Sequence, residues 1–507
     1  MGDKESQPQD GLLYSHPRFW QGLLILAIFL NVYVILNSDL GLDAHVEGAY
    51  VETEEGWVLD WGDTRTEDPL ASNPEDAKIV AEHNVKSEMI MPFAVLGMIL
   101  TILVVTKSGL NRDTTIVLML NPALIFSIGR GYAEYTYLGI LAIAWMTWNL
   151  NRESGENRIW PRLIAITIAS GLMLSIWSLK MKIEPIELLF PLLGLIVIGC
   201  LIDRIPDEWL NPKKALSGGF GLGLLVIIVA GMLGYGSFSI VMSEPIRFIQ
   251  ALPISVFGVI IVYGLVGMVL WPFARQTWEQ MSETSDRVTG ELSLFIGTMA
   301  GLIVAYVACL WAYESILWDS AWPWHMWTMG NNGRYITILA IPSYLLIQRV
   351  NNDLNWRKPM AVAGLLLILP ISMAAGIHGQ TYWTDDAAEI LSTHMEDDED
   401  FLFIHDAMLG MHYLYTFHTH IDDVNERNIT GHWRAPNSNW QSELFAEQTI
   451  QNRGNLSSVK WVVLAPGVEW EEPPEDWQSK TGMADFMNGG GEWQVWSQNQ
   501  VFSVSET

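Results

Sequence analysis

Residues 19–50 read FWQGLLILAIFLNVYVILNSDLGLDAHVEGAY and decide the architecture of the chain. The apolar run 19–36 is long enough to cross a hydrocarbon core of about 30 Å as a helix. The loop after it, 38–87, opens with Asp39, Asp43, His45, Glu47 and Tyr50. Charged groups just beyond a membrane span lie at the bilayer surface, which lipid-borne substrates can reach. We therefore predict that this loop is the catalytic edge of a membrane enzyme.

The composition indicates a polytopic membrane protein. Of 507 residues, 50% are hydrophobic and only 17% are charged, whereas soluble proteins have about 25% charged residues. The mean hydropathy is +0.22. The net charge of -28 belongs to the water-facing parts, and it argues against nucleic acid as a partner and against docking on anionic lipid surfaces.

Hydropathy predicts eleven transmembrane helices. They lie at 19–36, 89–106, 114–128, 135–148, 161–179, 187–202, 216–242, 249–271, 292–317, 334–348 and 360–377. The positive-inside rule makes the amino terminus cytoplasmic and puts loop 38–87 and the carboxyl terminus outside the cell membrane. The expected domains are a transmembrane domain, 1–377, and an extracytoplasmic mixed α/β domain, 378–507.

Asp43 is the first candidate for a catalytic base, and Asp39 is the second. A carboxylate within hydrogen-bond reach of an acceptor hydroxyl can remove its proton. Asp43 is preferred because His45 and Glu47 would lie on its side of an extended chain and could bind substrate. The alternative is a solvated acidic loop or an amino-terminal helix cap.

Two further clusters hold a cation at a predicted outer helix end. Arg130 and Glu134 follow the third span, where a guanidinium can hold a phosphate and a carboxylate can orient it. Arg334 and Tyr335 open the tenth span, where a cation could neutralise a leaving phosphate. The alternatives are an interfacial ion pair at the third span and an arginine that reaches the headgroups at the tenth.

The sequence does not require a metal or another cofactor, although a divalent cation is compatible with it. Asp60 and Asp63 could supply oxygen ligands, but two carboxylates without a third ligand favour a turn over a metal site. His418 and His420 form a pair without a third ligand at a set spacing. No metal ligand is therefore assigned.

The order of these motifs resembles the GT-C superfamily of membrane glycosyltransferases, which includes protein O-mannosyltransferases and the lipid A aminoarabinose transferase. Asp43 in Leu42-Asp43-Ala44-His45 occupies the place of the family's catalytic carboxylate. Gly129-Arg130-Gly131-Tyr132-Ala133-Glu134 is similar to the family's Arg and Glu motif, and Gly333-Arg334-Tyr335 with Pro342 is similar to its late Arg-Tyr and Pro pattern. The Trp-Trp-Asp-x-Gly signature of oligosaccharyltransferases and the adjacent Asp-Glu pair of O-mannosyltransferases are missing.

The resemblance implies inverting transfer of a sugar from a polyprenyl (dolichyl) phosphate donor. The acceptor would be a lipid, a glycan or a protein at the outer face of the bilayer. A transporter or flippase of a lipid-linked sugar is the alternative, and it would be expected to have broken helices near the membrane midplane.

Overall fold

A computed structural model describes the chain in several ranges. Together they contain an apolar helical bundle and a smaller mixed sheet. The described residues are 14, 16–37, 110–129, 204–234, 236–284, 286–317, 333–351, 354–377, 382–405, 413–414, 417–418, 420–422, 427, 429–445, 456, 459–484, 491–498 and 502, with the backbone of three strands at 50–53, 56–58 and 78–80.

Ten helices form the described part of the bundle. They are α1 (Pro17–Asn37), α2 (Arg112–Met119), α3 (Pro122–Gly129), α4 (Pro212–Met232), α5 (Ile240–Ser243), α6 (Pro245–Val266), α7 (Trp271–Gln280), α8 (Arg287–Leu317), α9 (Gly333–Val350) and α10 (Pro359–Ile377). Five of these, α1, α4, α6, α8 and α10, are long and apolar enough to cross a membrane, and α9 is a shorter apolar helix. The predicted spans 89–106, 135–148, 161–179 and 187–202 lie outside the described residues.

The predicted span 114–128 is two helices in the structure. Helix α2 ends at Met119 and α3 begins at Pro122. Proline has no N–H and suits the first turn of a helix, so it starts α3 and interrupts the hydrogen-bond ladder of α2. Asn121 stabilises this break, because its side-chain oxygen accepts a hydrogen bond of 3.0 Å from the Ala123 N–H. The continuous hydrophobicity of residues 114–128 had predicted a single helix.

Glycines set the distance between α4 and α8. A Cβ on Gly223 would lie 2.2 Å from the Thr298 carbonyl oxygen, and one on Gly301 would lie 2.2 Å from the Phe220 carbonyl oxygen. Both neighbours are backbone atoms of the facing helix, so only glycine permits this approach. Gly219 and Gly223, one turn apart on α4, thus serve close packing against α8.

Helix directions follow from contacts at opposite ends of each pair. Asn111 N donates to Gln348 Oε1 at 3.1 Å, whereas Ser127 and Thr337 hydroxyls meet at 2.7 Å, so α2 and α3 run antiparallel to α9. The beginnings of α1 and α10 also lie together, because the Arg357 guanidinium is 5.8 Å from the centroid of the Trp20 ring.

The other end of α1 fixes its direction relative to α10. A Cβ on Gly376 would lie 3.1 Å from Val34 Cγ2 and 3.5 Å from Ile125 Cγ2. Helix α10 therefore runs parallel to α1, and its last turn lies against both α1 and α3. The Arg357–Asp113 ion pair, at 3.2 Å, joins the beginnings of α10 and α2.

These directions give the bundle two distinct ends. The loop end holds Asn37, Gly129, Gly333 and Ile377, and the basic end holds Pro17, Arg112, Val350 and Pro359. Helix α8 begins at the basic end, because Arg349 Nη2 lies 2.8 Å from Asp286 Oδ2. Loop 38–87 leaves from the loop end and contains a three-stranded antiparallel sheet, with the order β2-β1-β3. Its strands are β1 (Tyr50–Thr53), β2 (Gly56–Val58) and β3 (Lys78–Val80).

Residues 382–502 have hydrophobic cores of their own, separate from that of the bundle. Five strands form a mixed sheet in the order β5-β4-β6-β8-β7. They are β4 (Asp400–Ile404), β5 (Thr430–Arg434), β6 (Trp461–Leu464), β7 (Gln478–Ala484) and β8 (Gly491–Ser497), with helices α11 (Trp383–His394) and α12 (Trp440–Leu444). Strands β5, β4 and β6 are parallel, and β8 pairs antiparallel with β6 and β7. The runs 401–405, 459–465 and 493–504, whose apolar and aromatic residues favour strands, overlap β4, β6 and β8.

Candidate functional site

Most of the predicted site lies outside the described residues. This applies to six side chains, Asp39, Asp43, His45, Glu47, Arg130 and Glu134. Arg334 lies in the first turn of α9, where the structure describes its backbone. Tyr335 is the one predicted site residue whose side chain is described.

Three helix termini at the loop end adjoin the predicted site residues in the sequence. Asn37 ends α1 two residues before Asp39, and Gly129 ends α3 directly before Arg130. Gly333 begins α9 directly before Arg334. The bundle thus brings together the helix termini that carry the predicted site.

A buried polar contact holds two of these termini together. Ser127 and Thr337 are fully buried, and their hydroxyl oxygens are 2.7 Å apart. Thr337 also donates to the Ala123 carbonyl at 3.1 Å. Thr337 lies three residues after Arg334, and Ser127 lies three residues before Arg130. Because buried hydroxyls lose hydration unless they are paired, this contact favours a fixed register between α3 and α9.

Tyr335 packs into the bundle core. Its ring is 7% exposed and meets Tyr306 of α8 edge-on, with ring centroids 5.2 Å apart. Tyr306 also meets Phe238 edge-on, at 6.1 Å. This aromatic chain connects the first turn of α9 to α8, so Tyr335 has a structural role beside Arg334.

A seam of polar side chains surrounds the break between α2 and α3. Asn31 Nδ2 donates to the Met119 carbonyl at 3.0 Å, and Ser372 Oγ donates to the Leu120 carbonyl at 2.6 Å. Asn121 Nδ2 donates to the Val266 carbonyl at 3.3 Å. The first two bonds satisfy carbonyls at the end of α2, and the third satisfies one at the end of α6. The signal for Asn31 and Ser372 in the sequence was a polar residue in the interior of an apolar span.

A small cavity adjoins this seam. Its lining is mainly apolar, with polar atoms contributed by Asn121, Tyr263, Ser343 and Tyr344. Ser343 donates to the Leu339 carbonyl at 2.7 Å within its own helix. Tyr344 is buried beside Asn121 at this cavity.

The histidines of the mixed-sheet domain have ordinary structural environments. His418 is fully buried, and its Nε2 lies 3.0 Å from the Ile429 carbonyl oxygen. Burial lowers the pKa of His418 to about 4, an effect that this hydrogen bond partly offsets. His420 Nδ1 lies 3.6 Å from Asp385 Oδ1. Within the described ranges, no three His, Cys, Asp or Glu side chains come together as metal ligands.

Comparisons of the chain with protein-family models, with curated proteins and with solved structures found no match.

Proposed function

We propose that this protein is a GT-C-type glycosyltransferase that takes its sugar from a polyprenyl phosphate at the loop end of the bundle. The observation that carries the proposal is the shared end of α1, α3 and α9, next to which Asp43, Arg130 and Arg334 stand in the sequence. An acid and two guanidinium groups near one lipid–water boundary suit a donor whose phosphate must be neutralised as it leaves.

Chain length supports a common end for Asp43 and Arg334. The six residues from Asn37 to Asp43 reach at most about 21 Å when extended. Helix α1 contains 21 residues and is therefore about 31 Å long. So short a connection cannot return to the basic end, whereas Arg334 lies in the first turn of α9 at the loop end.

The proposed reaction is a single displacement with inversion. Asp43 removes the proton of the acceptor hydroxyl while the acceptor oxygen bonds to the anomeric carbon. The bond between that carbon and the phosphate oxygen breaks, and polyprenyl phosphate leaves with the bonding electrons. Arg334, with Arg130, binds the phosphate, and its charge stabilises the leaving group. His45 and Glu47 position the sugar or the acceptor.

Replacement of the proposed base tests the reaction. Purified protein in lipid nanodiscs would be given polyprenyl-phosphate sugars and a panel of lipid, glycan and peptide acceptors. We expect Asp43→Asn to slow transfer by about 10² to 10⁴-fold, which is the usual contribution of general base catalysis. Asp68→Asn, which removes another carboxylate of the same loop, is the matched control and should retain most of the rate. Equal rates for Asp43→Asn and wild type would refute this role of Asp43.

The broken helix favours transport of a lipid-linked sugar as the second candidate. Helices α2 and α3 are interrupted within the bundle, and the interruption adjoins a cavity. Transporters use such discontinuous helices to bind substrates and ions. A liposome assay with a fluorescent lipid-linked sugar separates the candidates. A flippase would move the lipid to the other leaflet without transferring its sugar, and Asp43→Asn would leave this movement unchanged.

A further inference from the structure

Helix α7 lies across the basic end of the bundle. Its Phe273 ring meets the Trp356 ring edge-on at 5.1 Å, just before α10 begins. Further along α7, Thr277 accepts a hydrogen bond from Asn351, just after α9 ends. Phe273 and Thr277 are buried one helical turn apart and form the inner face of the helix. Because α7 contacts both the end of α9 and the start of α10, it crosses these two helices and does not continue α6.

The outer face of α7 combines two indole rings with a guanidinium group. Trp271, Arg275 and Trp278 follow the helical spacing of one face, and they are 62%, 91% and 50% exposed. Trp271 also lies against the membrane helix α6, because a Cβ on Gly264 would be 3.9 Å from its ring. Indole rings with this exposure at the end of a membrane bundle suit the headgroup layer of a bilayer.

Two lysine ammonium groups lie over aromatic rings of α7. Lys213 Nζ is 4.7 Å from the centroid of the Trp278 ring, and Lys358 Nζ is 5.9 Å from that of Phe273. Lys214, next in the chain to Lys213, is exposed. A cation held over a ring keeps its charge toward the headgroups while its methylene stem covers apolar surface.

The described segments of the basic end have a net positive charge, although the whole chain has a net charge of -28. Its described segments contain ten cationic residues, Arg18, Arg112, Arg204, Lys213, Lys214, Arg275, Arg287, Arg349, Arg357 and Lys358. They contain seven carboxylates, Asp113, Asp207, Glu208, Glu279, Glu283, Asp286 and Glu291. Five of the carboxylates pair with arginines of this end, Arg275, Arg287, Arg349 or Arg357. Lys213 and Lys214 have no ion pair with any described residue.

We propose that the basic end binds anionic lipid headgroups, with the headgroup phosphate at Lys213 and Lys214 and the Trp278 ring beside it. Arg275 already pairs with Glu279 at 2.9 Å, so the two lysines provide the cations. Each basic residue near a membrane surface strengthens its attraction for anionic lipid, and the effect decays within a Debye length. The acidity of the whole chain predicted no such surface, because most of its carboxylates belong to other regions. This proposal is independent of glycosyl transfer.

Lipid selectivity of the full-length protein tests the proposal. The protein would be reconstituted in phosphatidylcholine containing a trace of spin-labelled phosphatidylglycerol or spin-labelled phosphatidylcholine. Electron paramagnetic resonance would give the association of each label with the protein. We expect wild type to prefer phosphatidylglycerol and the double variant Lys213→Gln/Lys214→Gln to lower this preference about fivefold or more, given the usual effect of a basic residue.

The double variant Lys460→Gln/Lys480→Gln is the matched control. It removes the same charge from the mixed-sheet domain, and it should retain the selectivity of wild type. Raising the salt concentration should weaken the selectivity of wild type, because the attraction is electrostatic. A wild type that does not prefer phosphatidylglycerol would overturn the proposal. Equal selectivity in the Lys213→Gln/Lys214→Gln variant and wild type, or an equal loss in the control variant, would do the same.

Discussion

Single residues at the loop end carry most of the proposed chemistry. Arg334 is the best one to test, because the helix that holds it is described. It stands at the start of α9, whose register the buried contact between Thr337 and Ser127 helps to fix. The first turn of a helix held in this way can present a cation at a constant depth in the membrane. Its proposed role is to stabilise negative charge on the departing phosphate.

We expect Arg334→Gln to lower kcat/KM for transfer by about 10² to 10³-fold, as removal of one preorganised donor commonly does. Arg247→Gln is the matched control. It removes the same charge from the start of α6, where Arg247 lies 3.8 Å from Glu244. Transfer kinetics with a polyprenyl-phosphate sugar would measure both variants. Similar losses in the two variants would indicate a general electrostatic effect in place of a phosphate site.

A second prediction at this scale concerns His418. Its folded-state pKa is about 4, below the ordinary value of 6.5, because burial disfavours the charged ring. The unfolded chain therefore binds the proton more readily, and the fold loses stability as pH falls from about 6.5 toward 4. A shift of this size corresponds to about 3 kcal/mol.

Calorimetry of the full-length protein in detergent would measure this loss. The unfolding temperature of the mixed-sheet domain should fall between pH 6.5 and pH 4.5 in wild type. His418→Gln removes the titrating ring, so its unfolding temperature should fall less over the same interval. An identical fall in both proteins would show that other groups cause the acid sensitivity.

Among the helices and strands, apolar helices were the easiest to predict and their ends the hardest. The run 360–377 is α10 to within one residue at its start, because its length and hydrophobicity leave few alternatives. The run 114–128 is two helices, because the local chemistry of Asn121 and Pro122 outweighs continuous hydrophobicity. Tertiary partners of the break, such as Ser372, are distant in the sequence and could not be predicted from local patterns.

The packing of α4 against α8 gives a prediction for these two elements. In Gly223→Ala the new Cβ would lie 2.2 Å from the Thr298 carbonyl oxygen, a backbone atom that cannot rotate away. The helices must separate, and overpacking of this kind costs about 1–3 kcal/mol. Thermal unfolding in detergent should therefore occur at a lower temperature.

Gly221→Ala is the matched control on the same helix. A Cβ on Gly221 would have no atom within 4 Å, and alanine favours the helix over glycine by about 1 kcal/mol. This variant should unfold at the same temperature as wild type or a higher one. Equal destabilisation by Gly221→Ala and Gly223→Ala would contradict the proposed packing role.

At the scale of the whole molecule, the described bundle has two ends that differ in their proposed roles. The loop end carries the sequence positions of the proposed site, and the basic end carries α7 and its lysines. Sequence alone predicted a membrane protein with a soluble carboxyl-terminal region, because hydrophobic length and composition are local properties. It suggested that Asp43 and Arg334 share a face, but 291 residues separate them. The physical support for placing Asp43 and Arg334 at one end comes from the helix directions, such as the antiparallel arrangement of α3 and α9.

The most direct test of this account is a structure determined by electron cryomicroscopy with a polyprenyl phosphate bound in lipid nanodiscs. We predict density for the phosphate at the loop end, within hydrogen-bond distance of the Arg334 guanidinium and in a cavity that the Asp43 carboxylate also faces. A phosphate bound at the basic end, or an Asp43 that faces away from the Arg334 cavity, would contradict the proposed glycosyl-transfer site.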